Sequence, residues 1–192
     1  MTAPTPFAKK LARIADDLHT RFHMQNEAEP ALAKQIRKFW EEIGLAFPGV
    51  STPWSAVFVS SCVKQAGATK AEFTFAAAHA QFAFQAIHNE TKQSGVFRGR
   101  ELASHAPGVG DIIQNNRGGN GFDYAFAKTH KSYLSHSAIV IETGTDTAGR
   151  YALTIGGNES DSIRRTVVRL TPQGLIKQRP ANPYICVIAN LK

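Results

Sequence analysis

The chain has 192 residues, of which 43% are hydrophobic and 19% are charged. This composition is typical of a globular protein with one sizeable core, and it excludes a disordered chain. Twenty-two Lys and Arg residues against 15 Asp and Glu residues give a net charge of +7, which favours an anionic partner such as nucleic acid, an acidic membrane or a cell wall.

The apolar residues of the first half of the chain recur at helical spacing. They predict helices at about 7–23, from about 32 to 44, at 53–66 and at about 74–88. The pattern then changes to short runs of β-branched and aromatic residues separated by turn sequences. These runs predict strands at 110–114, 136–144, 150–157, 164–170 and 184–189. Helices followed by consecutive strands indicate an α+β domain with a mostly antiparallel sheet.

One long segment without clear periodicity, residues 115–135, separates the first two predicted strands. Loops of this length inside a compact domain are often lids or binding loops, and disorder is the alternative. The aromatic residues of the segment favour a binding loop.

The start of the chain has no apolar stretch of the kind found in signal peptides, and no apolar run approaches membrane-spanning length. We therefore expect no membrane span and no signal peptide, with synthesis in the cytoplasm and a specialised route to the periplasm or cell wall. The basic residues are scattered, so we do not expect a nucleic-acid partner, and binding through the basic surface ranks third among the alternatives. Cys62 and Cys186 lie in apolar runs and are expected to be buried free thiols.

The helix predicted at 53–66 has chemically suggestive residues in its first turn. Pro53 suits the first helical position and Gly67 suits the C-terminal cap, so Trp54 and Ser55 fall at the positive end of the helix dipole. A hydroxyl at this position suits a nucleophile, and a serine there is also a common helix cap. Both interpretations stay open at this point.

Two further polar residues lie at the ends of predicted strands. His136 opens the strand at 136–144, and Asn158 follows the strand at 150–157. A papain-like arrangement combines a nucleophile at a helix start, a histidine at a strand start and an amide that orients the imidazole. The alternatives are a hydrogen-bonded histidine at a strand edge and an asparagine in a left-handed turn.

A family resemblance is carried by five segments in order: PWSAVFVSSCVKQAG, AAAHAQF, GVGDIIQ, SHSAIVIETG and IGGNESDSI. Together they resemble the CHAP and NlpC-type superfamily of cell-wall amidases and peptidases, and more closely an uncharacterised branch of it. The resemblance spans about residues 52–170. It implies a single papain-like domain, with a catalytic core at 51–192 and an N-terminal helical extension at 1–50. It also implies hydrolysis of an amide bond in peptidoglycan.

The resemblance places the family's nucleophile, usually cysteine, on Ser55, its histidine on His136 and its third polar residue on Asn158. We therefore expect Ser55 as nucleophile, His136 as general base and Asn158 as its orienter, with Trp54 and His79 contacting substrate. The alternative interpretations are that His79 is a hydrogen-bonded histidine of the core and that Trp54 packs against the start of its helix. No spacing matches a metal-binding pattern, so neither a metal nor a cofactor is expected.

A serine in place of cysteine leaves several interpretations open. The protein is a serine hydrolase, or a catalytically inactive module that binds wall fragments or a partner protein, or it carries an engineered Cys→Ser replacement. A plain capping serine is the fourth interpretation. The expected partner is peptidoglycan. Without a signal peptide, the two expected alternatives are a phage lysin and an antibacterial toxin that is carried by secretion machinery and neutralised by an immunity protein in the producer.

Overall fold

The computed structural model describes residues 3–192 and contains, within them, five helices and one six-stranded sheet. The helices are α1 (Pro6–Phe22), α2 (Pro30–Glu42), α3 (Ser55–Ala66), α4 (His79–Thr91) and α5 (Tyr124–Thr129). The strands are β1 (Phe97–Arg100), β2 (Ile112–Asn116), β3 (Ser135–Asp146), β4 (Gly149–Glu159), β5 (Ser162–Arg169) and β6 (Tyr184–Asn190).

The sheet has the strand order β1-β6-β2-β3-β4-β5, and every neighbouring pair is antiparallel. At its centre, Ile112 of β2 lies between Ile188 of β6 and Ile139 of β3. The predicted α+β class, with helices first and a mostly antiparallel sheet after them, is confirmed.

The alternation of side chains along β3 divides the residues between two apolar clusters. Ile139 is fully buried in the main core, which the helices share, whereas Val140 is fully buried in a smaller cluster with Tyr184. His136 has the same parity as Val140, and it lines a cavity beside Tyr184. The start of β3 therefore places a histidine on the sheet face opposite the main core.

The helix α3 packs on β3 and β4. The end of β4 permits this close approach because a Cβ atom at Gly157 would lie 2.7 Å from side-chain atoms of both Phe58 and Trp54. A glycine at this position therefore lets the start of α3 lie directly against the end of β4.

The two N-terminal helices, which we expected as an extension of the catalytic core, contribute to the main hydrophobic core. Leu11 of α1 and Phe39 of α2 are fully buried in the same cluster as Phe58 of α3. The ring of Phe39 meets that of Phe58 edge to face, with centroids 5.5 Å apart.

Several boundaries differ from those predicted. The helix α3 begins at Ser55 rather than at Pro53, and α4 begins at His79 rather than near 74. Strand β1 and helix α5 were not predicted, because elements of four and six residues are too short to show a period. Helix α5 lies inside the predicted loop at 115–135. Within residues 3–192, no helix combines the length and the apolar character that crossing a bilayer requires.

Candidate active site

The site is built around two helix starts. Ser55 is the first residue of α3 and His79 is the first residue of α4. The Ser55 Oγ atom and the His79 Nε2 atom lie 2.7 Å apart in a hydrogen bond. Both residues are nearly inaccessible, with 3% of Ser55 and 5% of His79 exposed. The serine is not a capping residue, since Trp54 holds the cap position and the Ser55 hydroxyl pairs with the histidine.

His79 is held in its neutral form. Burial is the main cause that lowers its pKa well below the ordinary value of 6.5, and electrostatic repulsion from His136 and Arg117 lowers it further. The other ring nitrogen, Nδ1, is buried and has no hydrogen-bond partner within residues 3–192. Because the buried ring is bonded to Ser55, any contact of His79 with a substrate would be made at the Ser55 hydroxyl, and the predicted contact stays a prediction.

His136 has a carboxylate partner that the sequence interpretation missed. Its Nε2 atom lies 2.8 Å from Glu159 Oε1, and Glu159 Oε2 accepts a hydrogen bond from Thr166 Oγ1 at 2.9 Å. A Cβ atom at Gly156 would lie 2.8 Å from the His136 Nε2 atom, so a glycine is needed beside this pair. The usable signal was the position of Glu159 at the end of β4, directly after a predicted site residue.

The two histidines lie side by side, with ring centroids 5.4 Å apart and planes inclined by 64°. Ser55, His79, His136 and Glu159 therefore form a continuous row. The expected direct bond between Ser55 and His136 is not formed, because the Ser55 hydroxyl is bonded to His79 and the His136 Nε2 atom to Glu159.

A second carboxylate, Glu27, clamps the two residues that precede Ser55 and Glu159 in the chain. Its Oε2 atom accepts one hydrogen bond from Trp54 Nε1 at 2.7 Å and another from Asn158 Nδ2 at 2.8 Å. Within residues 3–192, Asn158 makes no hydrogen bond to His136 and its amide nitrogen donates to Glu27, so its role as orienter stays a prediction that the amide oxygen would have to fulfil. Its backbone φ of 56° agrees with the alternative interpretation of a left-handed turn residue.

Trp54 was expected in the wall of a substrate cleft, and the structure corrects this. Its side chain is fully buried and its ring stacks on that of Phe39, with centroids 6.2 Å apart. A residue with no exposed surface cannot contact a substrate. The alternative interpretation, that Trp54 packs at the start of its helix, agrees with these contacts.

The start of α3 also offers backbone donors. The first helical hydrogen bond runs from the Phe58 N–H to the Trp54 carbonyl oxygen at 3.0 Å. No group within residues 3–192 accepts a hydrogen bond from the N–H of Ser55, Ala56 or Val57. These donors lie at the positive end of the helix dipole, where negative charge is stabilised.

Two cavities of about 200 Å³ each border the row of site residues. Asn115, His136 and Glu159 line both of them. The cavity on the sheet face also includes Arg179 and Tyr184, and the other includes Arg117 and Asn158. The His136–Glu159 pair is thus the accessible side of the site, whereas Ser55 lies beneath it.

Other chemistry has little support among the described residues. Within residues 3–192, no three His, Cys, Asp or Glu side chains are arranged to hold a metal ion. Both Cys62 and Cys186 are fully buried, and burial raises the pKa of each thiol. The carboxylate of Asp111 accepts hydrogen bonds from the backbone N–H groups of Gly108 and Asn190, which is a structural role.

Comparison with known proteins gives one match. Residues 20–186 match a bacterial family with the description "Uncharacterized protein conserved in bacteria (DUF2272)". No curated protein and no solved structure matches the chain. Because the match covers most of the chain, from α1 to β6, this protein belongs to the DUF2272 family.

Proposed function

We propose that the protein is a papain-like hydrolase that cleaves a peptide or amide bond of the bacterial cell wall, with Ser55 as its nucleophile. The observation that carries the proposal is the 2.7 Å hydrogen bond between Ser55 Oγ and His79 Nε2 at the start of α3. A hydroxyl bonded to a neutral imidazole, at a helix N-terminus, has the arrangement of an activated nucleophile. The resemblance of residues 52–170 to cell-wall amidases, together with the charge of +7, supports the wall as substrate.

The reaction follows from these positions. Ser55 Oγ attacks the carbonyl carbon while its proton passes to His79 Nε2. The N–H groups of Ser55, Ala56 and Val57 stabilise the negative oxygen that forms. His79 then gives the proton to the leaving nitrogen as the C–N bond breaks, and a water molecule hydrolyses the acyl-serine by the same steps.

The His136–Glu159 pair flanks this base: the His136 ring disfavours protonation of His79, and the Glu159 carboxylate counters that effect. Protonation of His79 during attack creates a buried positive charge, and the Glu159 carboxylate places a negative charge beyond the adjacent His136 ring. A carboxylate stabilises an imidazolium in a way that a neutral asparagine amide does not. His136 as the direct base stays a prediction, and it requires the Ser55 hydroxyl to leave His79 when substrate binds.

A second candidate, an inactive module that binds wall fragments, is favoured by the surroundings of His79. If Nε2 accepts the serine proton, the ring proton lies on Nδ1, which is buried without an acceptor. An unsatisfied buried donor costs about 1–3 kcal/mol. The opposite tautomer, in which Nε2 donates to Ser55, leaves Nδ1 as a buried acceptor without a donor instead, so this cost does not favour the base-competent tautomer, and in the opposite one His79 cannot act as a base.

The test is digestion of purified peptidoglycan, followed by quantification of new amine termini. Ser55→Ala and His79→Gln should each lower the rate by about 100-fold to 10,000-fold, with Ser55→Cys retaining part of it. Ser60→Ala is the matched control, because Ser60 is equally buried on the same helix but bonds to the backbone of Ala76. Its rate should stay close to that of the unchanged protein once the folded fraction is equalised.

The outcomes separate the candidates. If the unchanged protein releases no amine termini but sediments with peptidoglycan as Ser55→Ala does, the inactive binding module is correct. If Ser55→Cys alone is active, Ser55 occupies the position of a cysteine nucleophile. Unchanged hydrolysis by a folded Ser55→Ala protein would contradict both the nucleophile and the row of residues behind it.

A further inference from the structure

We propose that the cavity on the sheet face, beside His136, binds the carboxylate of a small ligand through the guanidinium of Arg179. One part of this proposal rests on the proposed function, namely that the ligand is a peptide with a free carboxylate close to the bond that is cut. The carboxylate site itself follows from the geometry of Arg179 and its neighbours.

Arg179 is held in place with its binding edge unused. Its guanidinium lies over the ring of Tyr184, 4.5 Å from the ring centre, and its Nε atom donates to the carbonyl oxygen of Asn182 at 3.2 Å. Within residues 3–192, its two terminal nitrogens have no hydrogen-bond acceptor and no carboxylate partner. A planar guanidinium fixed by stacking presents two parallel donors, which match the two oxygens of a carboxylate.

The acidic residue of the same cavity does not neutralise this arginine. Glu159 lines the cavity, but its two oxygens are bonded to His136 Nε2 and Thr166 Oγ1. The positive charge of Arg179 is therefore left to a ligand. A ligand carboxylate would be repelled by Glu159 and attracted by Arg179, which line the same cavity. The ligand is therefore oriented with its carboxylate at the Arg179 side.

The cavity also limits the size of the ligand. Its volume of about 200 Å³ fits a group of amino-acid size, and Ile113, Ala138 and Val168 give it apolar walls. The Thr154 hydroxyl in the wall is already bonded to the Thr166 carbonyl oxygen. A short aliphatic side chain next to one carboxylate therefore satisfies the lining better than a bulky or strongly polar group.

The position of the cavity connects it to the proposed chemistry. His136 forms part of its wall and lies beside His79, which bonds to Ser55. A peptide anchored on Arg179 by its carboxylate would extend past His136 into the neighbouring cavity, which Arg117 lines. The carboxylate would then select substrates by the distance between their free acid and the bond to be cut.

Calorimetric titration with N-acetyl-alanyl-alanine and with its C-terminal amide tests this inference, using the L,L and the D,D forms of each. The free acid of at least one form should bind about 10-fold to 100-fold more tightly than its amide, as expected for charge-assisted hydrogen bonds. Arg179→Gln should abolish this preference, and Arg179→Lys should retain a part of it. The matched control is Arg37→Gln, since Arg37 also lies over an aromatic ring, at 4.6 Å from the centre of Phe47, and its loss changes the net charge equally.

Equal affinity for acid and amide, no measurable binding of either, or a preference that persists in folded Arg179→Gln would each overturn the inference. The Ser55→Ala protein separates it from the proposed catalysis. If Ser55→Ala still digests peptidoglycan while the acid preference depends on Arg179, the nucleophile is wrong and the carboxylate site stands. If Ser55→Ala is inactive and the acid is not preferred over the amide, the nucleophile stands and the carboxylate site is wrong.

Discussion

Replacing His79 with glutamine should remove one strongly pH-dependent contribution to stability. In the unfolded chain this histidine titrates near its ordinary pKa of 6.5, whereas in the fold burial lowers its pKa well below that value. Between the two pKa values the unfolded chain binds one more proton than the folded chain. The unfolding free energy therefore falls as the pH falls below 6.5, by up to about 1.4 kcal/mol per pH unit, and the full contribution is present above 6.5.

The assay is urea unfolding of the unchanged protein and of His79→Gln at pH 7.5, 6 and 5. The glutamine amide can still bond to Ser55 but cannot titrate, so the variant should be less stable at pH 7.5. Its deficit should shrink by up to about 2 kcal/mol at pH 5, because only the unchanged protein loses the His79 contribution. Burial also lowers the pKa of His19, but that effect is common to both proteins and cancels in the difference. A deficit that does not change with pH would refute the view of His79 as a buried neutral base.

Two further predictions concern the residues around the site. In thermal or urea unfolding, Glu27→Ala should lower the unfolding free energy by about 1–3 kcal/mol, because it leaves the buried Trp54 N–H without an acceptor. The control is Glu41→Ala at an exposed position of α2, which should change the unfolding free energy by less than about 0.5 kcal/mol. Cys62 and Cys186 should resist alkylation by iodoacetamide in the native protein and react fully in urea, as followed by mass spectrometry, because both thiols are buried and burial raises their pKa. Rapid native modification of Cys62 would instead mark it as the better candidate nucleophile.

The elements with strong local periodicity could be predicted from the sequence. The apolar stripe of α1 and the alternation in β3 and β4 depend on near neighbours, and their predicted positions agree with the structure to within about two residues. Gly67 ends α3 with a φ of 112°, as expected for a left-handed cap. The position of Ser55 at the start of α3 followed from the same local signals.

The partners within the site could not be predicted, because they depend on contacts between distant parts of the chain. Glu27 and Asn158 are 131 positions apart, and no local pattern couples a residue before α2 to the end of β4. His79 and His136 were both visible as candidates, but their order relative to Ser55 depends on how α4 packs beside β3. Glu159 was overlooked because the preceding asparagine fitted the resemblance.

The Glu27 clamp has a consequence for the timing of assembly. Both clamp bonds share Glu27, which leaves the ribosome before α2. Asn158, which forms one of them, is made only near the end of β4. The residues on either side of the site are therefore fastened together late, after most of the polypeptide has been synthesised. A nascent chain that still lacks its last strands has Ser55 but not its finished surroundings, so any hydrolytic activity would be withheld from the cell until translation is nearly complete.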